Sequence, residues 1–394
     1  MIQAVLVPYR HRVRASPGSG QDRTGVRRLS LPLLAAGLLA LAASLLVTHR
    51  AAGTARAADT WEVQVGAMLP TGMAMPSGGM MDQTGMAMPS GGTMDHAMMG
   101  PSGQIVAQAF GPDPLTIHVG DSVTFKWAVP DLPHTVTFNS GQPPLPDILP
   151  GPGQGELMLG PAFAPVGLPK PDATSVTYDG TARLSSGQRT GGATFTVTFT
   201  RTGRFGYVCT IHDGMRGEID VVDPSVPLPE TPAQAKTRGQ VTLNAILGMT
   251  QEATEQVHSV TLGSLHTVAA GVGSGFGGSA TSFLPGDVMV HRGDQVVWTV
   301  ADPFEIHTVT FTSGANPPNF VDVRPQPQGP PQIVIPANVA SPAGGTTYTG
   351  SGYVNSGIIT PGNSFILTID APPGTYLYHC LVHPSMHGTV TVVP

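Results

Sequence analysis

Only two cysteines occur in the 394 residues, and each is followed by histidine at +3 and methionine at +6: Cys209, His212, Met215 and Cys380, His383, Met386. A further histidine stands 75 residues ahead of the first cysteine (His134) and 73 ahead of the second (His307). Thiolate and thioether sulfur are soft ligands that favour Cu(I), and imidazole suits Cu(II). Two imidazoles and a thiolate in one plane, with a distant thioether, form a mononuclear copper centre that accepts both oxidation states with little rearrangement. That is the requirement for one-electron transfer. Two other chemistries compete. A single disulfide is the default for an exported chain with two cysteines, but it would make both flanking patterns accidental. Zinc has little use for a thioether as its fourth ligand.

The elements that must position these residues come in duplicate. His118-Val-Gly-Asp-Ser-Val-Thr-Phe matches His291-Arg-Gly-Asp-Gln-Val-Val-Trp, and His134-Thr-Val-Thr-Phe matches His307-Thr-Val-Thr-Phe, both at an offset of 173. Tyr207-Val-Cys-Thr-Ile-His-Asp-Gly-Met-Arg-Gly matches Tyr378-His-Cys-Leu-Val-His-Pro-Ser-Met-His-Gly at an offset of 171. A repeat of this length is a domain in tandem rather than a solenoid unit.

Each unit reads as strands. The runs beginning at Ser122, Thr194, Gln295 and Ser364 are β-branched or alternate apolar with polar residues, and Gly-Asp pairs precede the early ones. With 50 glycines and 39 prolines punctuating such runs, the composition is that of an all-β protein. The expected organisation is a leader over 1–57, a first β-sandwich over 58–222 with a Met-rich insertion at 68–100, a linker at 223–238 (DPSVPLPETPAQAKTR), and a second sandwich over 239–394. The Pro-rich stretches 141–172 and 316–343 read as long surface loops. The region between Met249 and Gly278 is not assigned to elements.

Over roughly 104–222 and 279–394 the sequence resembles the cupredoxin family (plastocyanin, azurin, pseudoazurin, amicyanin). The short Cys-x2-His-x2-Met loop is most similar to that of amicyanin, with Tyr378-His-Cys-Leu-Val-His-Pro-Ser-Met the closer match. The resemblance implies two tandem Greek-key β-sandwiches and two type 1 (blue) copper ions. One would be held by His134, Cys209, His212 and Met215, the other by His307, Cys380, His383 and Met386. Residues near His383, such as Pro384, would form the docking patch through which electrons leave. One departure stands out: the family usually has Asn after the first histidine, hydrogen-bonded across to the ligand loop, and here Thr135 and Thr308 occupy that place.

The domain pair also resembles copper nitrite reductases in outline. There the residue in the place of His379 binds a type 2 copper, and His387 is a further candidate for an intersubunit site. Against this reading, the second histidine those enzymes carry falls at Thr312, and the first unit has Val208 in the place of His379. The trinuclear cluster of multicopper oxidases needs His-x-His pairs, and the chain has none. Electron carriage or copper binding, rather than catalysis, is therefore the expectation.

Residues 71–83 (TGMAMPSGGMMDQ) and 84–96 (TGMAMPSGGTMDH) are a direct repeat, and ten of the chain's 16 methionines lie between Met68 and Met99. Thioethers on such a tract suit additional Cu(I), which makes copper sequestration or delivery the alternative function; a linker, or a surface where methionine absorbs oxidants, is the plainer reading.

Charge completes the picture. Residues 1–57 hold eight arginines and one acid, while the remainder carries a net of −13. The uncharged run of 19 residues from Leu29 to Val47, followed by Ala55-Arg56-Ala57, has the order of an export signal or an N-terminal membrane anchor. The body is expected outside the cytoplasm (periplasmic, cell-surface or secreted). No nucleic-acid footprint is visible at 11% charged residues. The acidic body would steer a cationic partner, an extracytoplasmic redox protein such as a cytochrome or a copper-handling protein.

Overall fold

The computed structural model describes residues 56–70 and 103–394. The leader with its apolar run, and the methionine repeat at 71–96, lie outside the described residues. Among the described residues, no helix is long and apolar enough to cross a membrane.

Each repeat is a β-sandwich, as its alternation requires. In the first, one sheet orders the strands Gln104–Gly111, Thr60–Pro70, Ser122–Trp127, Thr194–Phe199 and Ser175–Tyr178. The facing sheet orders Leu115–His118, Arg216–Val222, Gly203–Val208, Thr137–Phe138, Leu184–Ser186 and Pro165–Val166. Val123, Phe125 and Trp127 turn inward from one strand and Phe195, Val197 and Phe199 from its neighbour, with the residues between them less buried. That two-residue period leads one side of each strand into a core closed by Trp61, Phe138 and Tyr207. The second sandwich repeats the plan with Leu265–Gly273, Gln295–Ala301 and Ser364–Ile369 against Asp287–His291, His387–Val393 and Gly374–His379. Trp298, Phe311 and Tyr378 lie in its core.

The two sandwiches are joined by more than a tether. Gly278–Leu284 pairs antiparallel with Gln104–Gly111 through Gly278↔Ala107, Ser279↔Val106 and Ala280↔Ile105, so one sheet runs through both halves. The Pro-rich stretches expected as surface loops form a second junction. Gln332–Ile335 of one pairs with Leu157–Leu159 of the other, and Arg324 grips Glu156 with two hydrogen bonds of 2.9 and 2.7 Å.

The segment read as a linker over 223–238 also differs from expectation. An α-helix, Pro232–Glu255, begins inside it, with Thr231 and Gln234 forming a reciprocal capping box and proline in the first turn. Its buried residues Ala235, Gly239, Leu243, Ile246, Leu247 and Thr250 follow a helical period that starts too late to show within 223–238. Leu243, Ile246 and Leu247 pack on Ala67, Ile105, Ala107, Val272 and Ala280, which places the helix over the seam of the shared sheet. Gly239 is required there: a Cβ would come within 2.4 Å of the Gly111 backbone.

Candidate metal centres

The strand Gly203–Val208 delivers Cys209 into the core end of the first sandwich, and the chain returns as Arg216–Val222. The loop between is closed by its own backbone, with Cys209 N donating to Met215 O (2.9 Å) and Met215 N to His212 O (3.2 Å). His134 enters from the neighbouring segment, its main chain bridged to Arg189 and its carbonyl accepting from Trp127 Nε1 at 2.9 Å. The second sandwich repeats the loop, with Cys380 N donating to Met386 O and Met386 N to His383 O, both at 2.9 Å.

In the first site Cys209 Sγ lies 3.8 Å from His134 Nδ1 and 3.6 Å from His212 Nδ1. In the second, Cys380 Sγ lies 3.8 Å from His307 Nδ1 and 3.6 Å from His383 Nδ1. Metal bonds of about 2.0 Å to imidazole and about 2.3 Å to thiolate, 120° apart, place nitrogen and sulfur roughly 3.7 Å from each other. The donor triangles therefore have the size a trigonal metal needs. Met215 and Met386 are buried in the same cores as the cysteines. Both cysteines are free, so the disulfide alternative is excluded by the fold. Among the described residues these are the two clusters of three or more His, Cys, Asp or Glu side chains with metal-binding spacing.

The electrostatics prepare the sulfurs. Burial pushes the Cys209 and Cys380 thiols up, but the facing imidazoles outweigh it and hold both well below the ordinary thiol range. A backbone amide points at each sulfur as well, Thr135 N at 3.4 Å and Thr308 N at 3.5 Å. The same threonines answer the question raised by the missing Asn. Thr135 Oγ1 accepts from Thr210 N at 2.8 Å and Thr308 Oγ1 from Leu381 N at 2.7 Å, so a hydroxyl ties the upstream histidine segment to the ligand loop in both halves.

A glycine walls each upstream histidine. Gly66 (φ +72°) and Gly271 (φ +76°) sit at β-bulges in equivalent strands. A Cβ on them would lie 3.0 Å from His134 Nε2 and 2.2 Å from His307 Nε2.

The downstream histidines face an unexpected partner. His212 and His383 are 3% and 4% exposed, and their Nε2 atoms point toward one carboxylate, that of Glu305. His212 Nε2 is 3.3 Å from Oε1 and His383 Nε2 is 3.5 Å from Oε2. Gln108 Nε2, from the first sandwich, donates to Oε1. Burial would raise the Glu305 pKa, but His212 and His383 hold it far below the usual range. Burial lowers His212, yet Glu305 and Cys209 bring it up to about 10, and Cys380 and Glu305 do the same for His383. Pro384, expected in the docking patch, is exposed, while the far edge of the His383 ring is turned inward, toward Glu305 of its own sandwich. The sequence reading missed Glu305. Its counterpart at the 173-residue offset is Leu132, which packs with Val106 and Val129, but Val129/Asp302, Asp131/Phe304 and Pro133/Ile306 differ as well, so comparing the two repeats does not single it out.

The remaining histidines divide by role. His118 Nε2 meets Val226 O at 2.8 Å and His266 Nε2 meets Asp294 at 2.9 Å, both structural contacts. His379 and His387 pair across adjacent strands with ring centroids 6.4 Å apart.

Residues 97–222 match the family described as copper binding proteins, plastocyanin/azurin family. No curated protein matches the chain. Solved structures similar to it include an oxidised amicyanin variant and a reduced Cu(I) amicyanin variant at pH 4, each 20% identical, covering 36% of this chain and 90% of that chain, with a TM-score of 0.21. The matched segment contains the first donor triangle, and the second sandwich holds a triangle of the same residue types and spacing.

Proposed function

We propose that His134, Cys209, His212 and Met215 hold one type 1 copper, that His307, Cys380, His383 and Met386 hold the other, and that the protein passes single electrons between extracytoplasmic redox partners. The observation that carries this reading is the occurrence of the same sulfur–nitrogen triangle, 3.6 and 3.8 Å on its two sulfur–imidazole edges, at equivalent places in two sandwiches. When bound, copper supplies a one-electron Cu(II)/Cu(I) couple. The chain's own contribution is rigidity. The ligand loops are closed by backbone hydrogen bonds, and the facing imidazoles hold the buried thiols well below their ordinary range. A site already shaped for the metal rearranges little when the charge changes.

The test is a visible and paramagnetic resonance spectrum of the copper-loaded protein. Two coppers per chain and an intense thiolate-to-copper band are expected, with Cys209→Ala and Cys380→Ala each removing about half of the band when the ligand sets are alike. A copper-loaded but colourless protein would refute the assignment.

Copper sequestration or delivery is the second reading, favoured by the methionine repeat at 71–96. Copper titration of a chain lacking residues 71–102 separates the two: unchanged stoichiometry supports the carrier, and loss of Cu(I) equivalents supports sequestration. A type 2 resonance signal together with nitrite turnover would instead promote the nitrite reductase reading through His379 and His387.

A further inference from the structure

We propose that Glu305 is a single positioning residue for both metal centres, holding the Nε2 edges of His212 and His383 so that each presents Nδ1 to its own site and the two centres behave as one coupled unit. This rests on the ligand assignment above and goes beyond it. Three observations lead to it. First, each oxygen of the carboxylate lies within ion-pair distance of a different imidazole, 3.3 Å to His212 and 3.5 Å to His383, while both rings turn Nδ1 to their cysteines at 3.6 Å. Second, the carboxylate is held from both halves of the molecule. Gln108 of the first sandwich donates to it, and its own segment is fastened by Asp302, whose Oδ1 accepts from Phe304 N (2.9 Å) and from Ser279 Oγ (3.1 Å) on the junction strand. Third, the site is 5% exposed, and an acid stands where the other repeat has leucine. A buried carboxylate is costly to keep unless something charged or strongly donating faces it.

A metal-ligating histidine normally gives its second N–H to an acceptor that fixes the tautomer and raises ligand basicity, and losing that acceptor weakens metal binding about 10–100-fold. Here one carboxylate stands at ion-pair distance from the Nε2 atoms of both rings, where it would serve as the acceptor for two centres. Charge adds a second consequence. A divalent ion with one thiolate leaves each site at +1, and a monovalent ion leaves it neutral. One buried carboxylate therefore balances one divalent-loaded site and not two. The charge of either centre is then felt at the other, through an anion both histidines share.

The experiment reads one site at a time with copper ions alone. In a Cys380→Ala protein the remaining band reports the first site, and in a Cys209→Ala protein it reports the second. Adding Glu305→Gln is expected to weaken copper binding about 10–100-fold in both backgrounds. It should also lower the preference for Cu(II) over Cu(I) about tenfold, a rise in midpoint potential of about 59 mV for one electron. Partial recovery with Glu305→Asp supports a positioning role for the charge, as against mere packing. A measurement that needs no substitution is nitrogen resonance of the Cu(I)-loaded protein, where His212 and His383 should both show a protonated, slowly exchanging Nε2. The proposal is overturned when Glu305→Gln leaves the first site's affinity and potential unchanged, or when the two Nε2 protons exchange freely with water. Failure of the single-cysteine proteins to develop any band would instead refute the ligand assignment, and the two failures cannot be confused.

Discussion

Gly271→Ala tests how tightly the fold dictates the second metal site. The added Cβ would lie 2.2 Å from His307 Nε2, 2.9 Å from Cε1 and 3.1 Å from Cδ2, whereas ordinary contact begins near 3.4 Å. The ring must retreat by about 1.2 Å, more than half of a metal–imidazole bond of about 2.0 Å. It has little freedom to do so, because His307 N donates to Ile359 O at 3.0 Å and Ile359 N donates back to His307 O at 2.8 Å. The backbone adds its own cost, since a φ of +76° strains any residue with a Cβ by about 1–2 kcal/mol. Overpacking adds about 1–3 kcal/mol, for a total near 2–5 kcal/mol. The expected result is loss of the second site's share of the thiolate-to-copper band, about half, with the first site intact in the same sample as an internal control. Gly66→Ala supplies the graded comparison. There the Cβ meets His134 Nε2 at 3.0 Å, so a shift of a few tenths of an ångström suffices, and copper should be retained with an altered spectrum. A Gly271→Ala protein with both bands and unchanged urea unfolding would refute the idea that the bulge glycine walls the imidazole.

Other outcomes follow from the same contacts. Thr308→Val leaves Leu381 N without its 2.7 Å acceptor in a buried place, and should cost about 1–3 kcal/mol in urea unfolding while the fold persists. At pH 7 each downstream His–Cys pair carries one proton, on an imidazole raised to about 10 beside a depressed thiol, so copper loading should release about one proton per site. Apparent copper affinity should then rise about tenfold per pH unit at each site and level off as pH passes about 10, where the metal-free pair has already lost that proton; calorimetry in buffers of different ionisation enthalpy reads this directly. Leu243→Ala, in the helix over the sheet seam, should lower unfolding free energy by about 2–5 kcal/mol, and no change would mean that the helix does not hold the seam.

The grouping of each cysteine with its two histidines was legible in the chain because much of the pattern is local. Cys, His and Met at +3 and +6 sit on one short loop whose closure is a matter of adjacent backbone bonds, and the duplication showed that the pattern was no accident. The strand alternation around Phe125 and Phe195 likewise follows from a two-residue period that any sandwich core imposes. What the tertiary structure alone decided is how the halves meet. Gln108 and Glu305 are 197 residues apart, and nothing in their local sequence says that they touch. The Pro-rich stretches carry no strand period, yet two of their short segments find each other across the junction. The helix Pro232–Glu255 earned no place in the reading because its apolar face repeats only beyond Ala235 and acquires meaning from the sheet seam it covers. The partner of His212 has the same origin, since Glu305 comes from the other half. Residue types and spacing bring the candidate ligand atoms together, whereas the far edge of the His212 ring meets a carboxylate that only the other domain supplies.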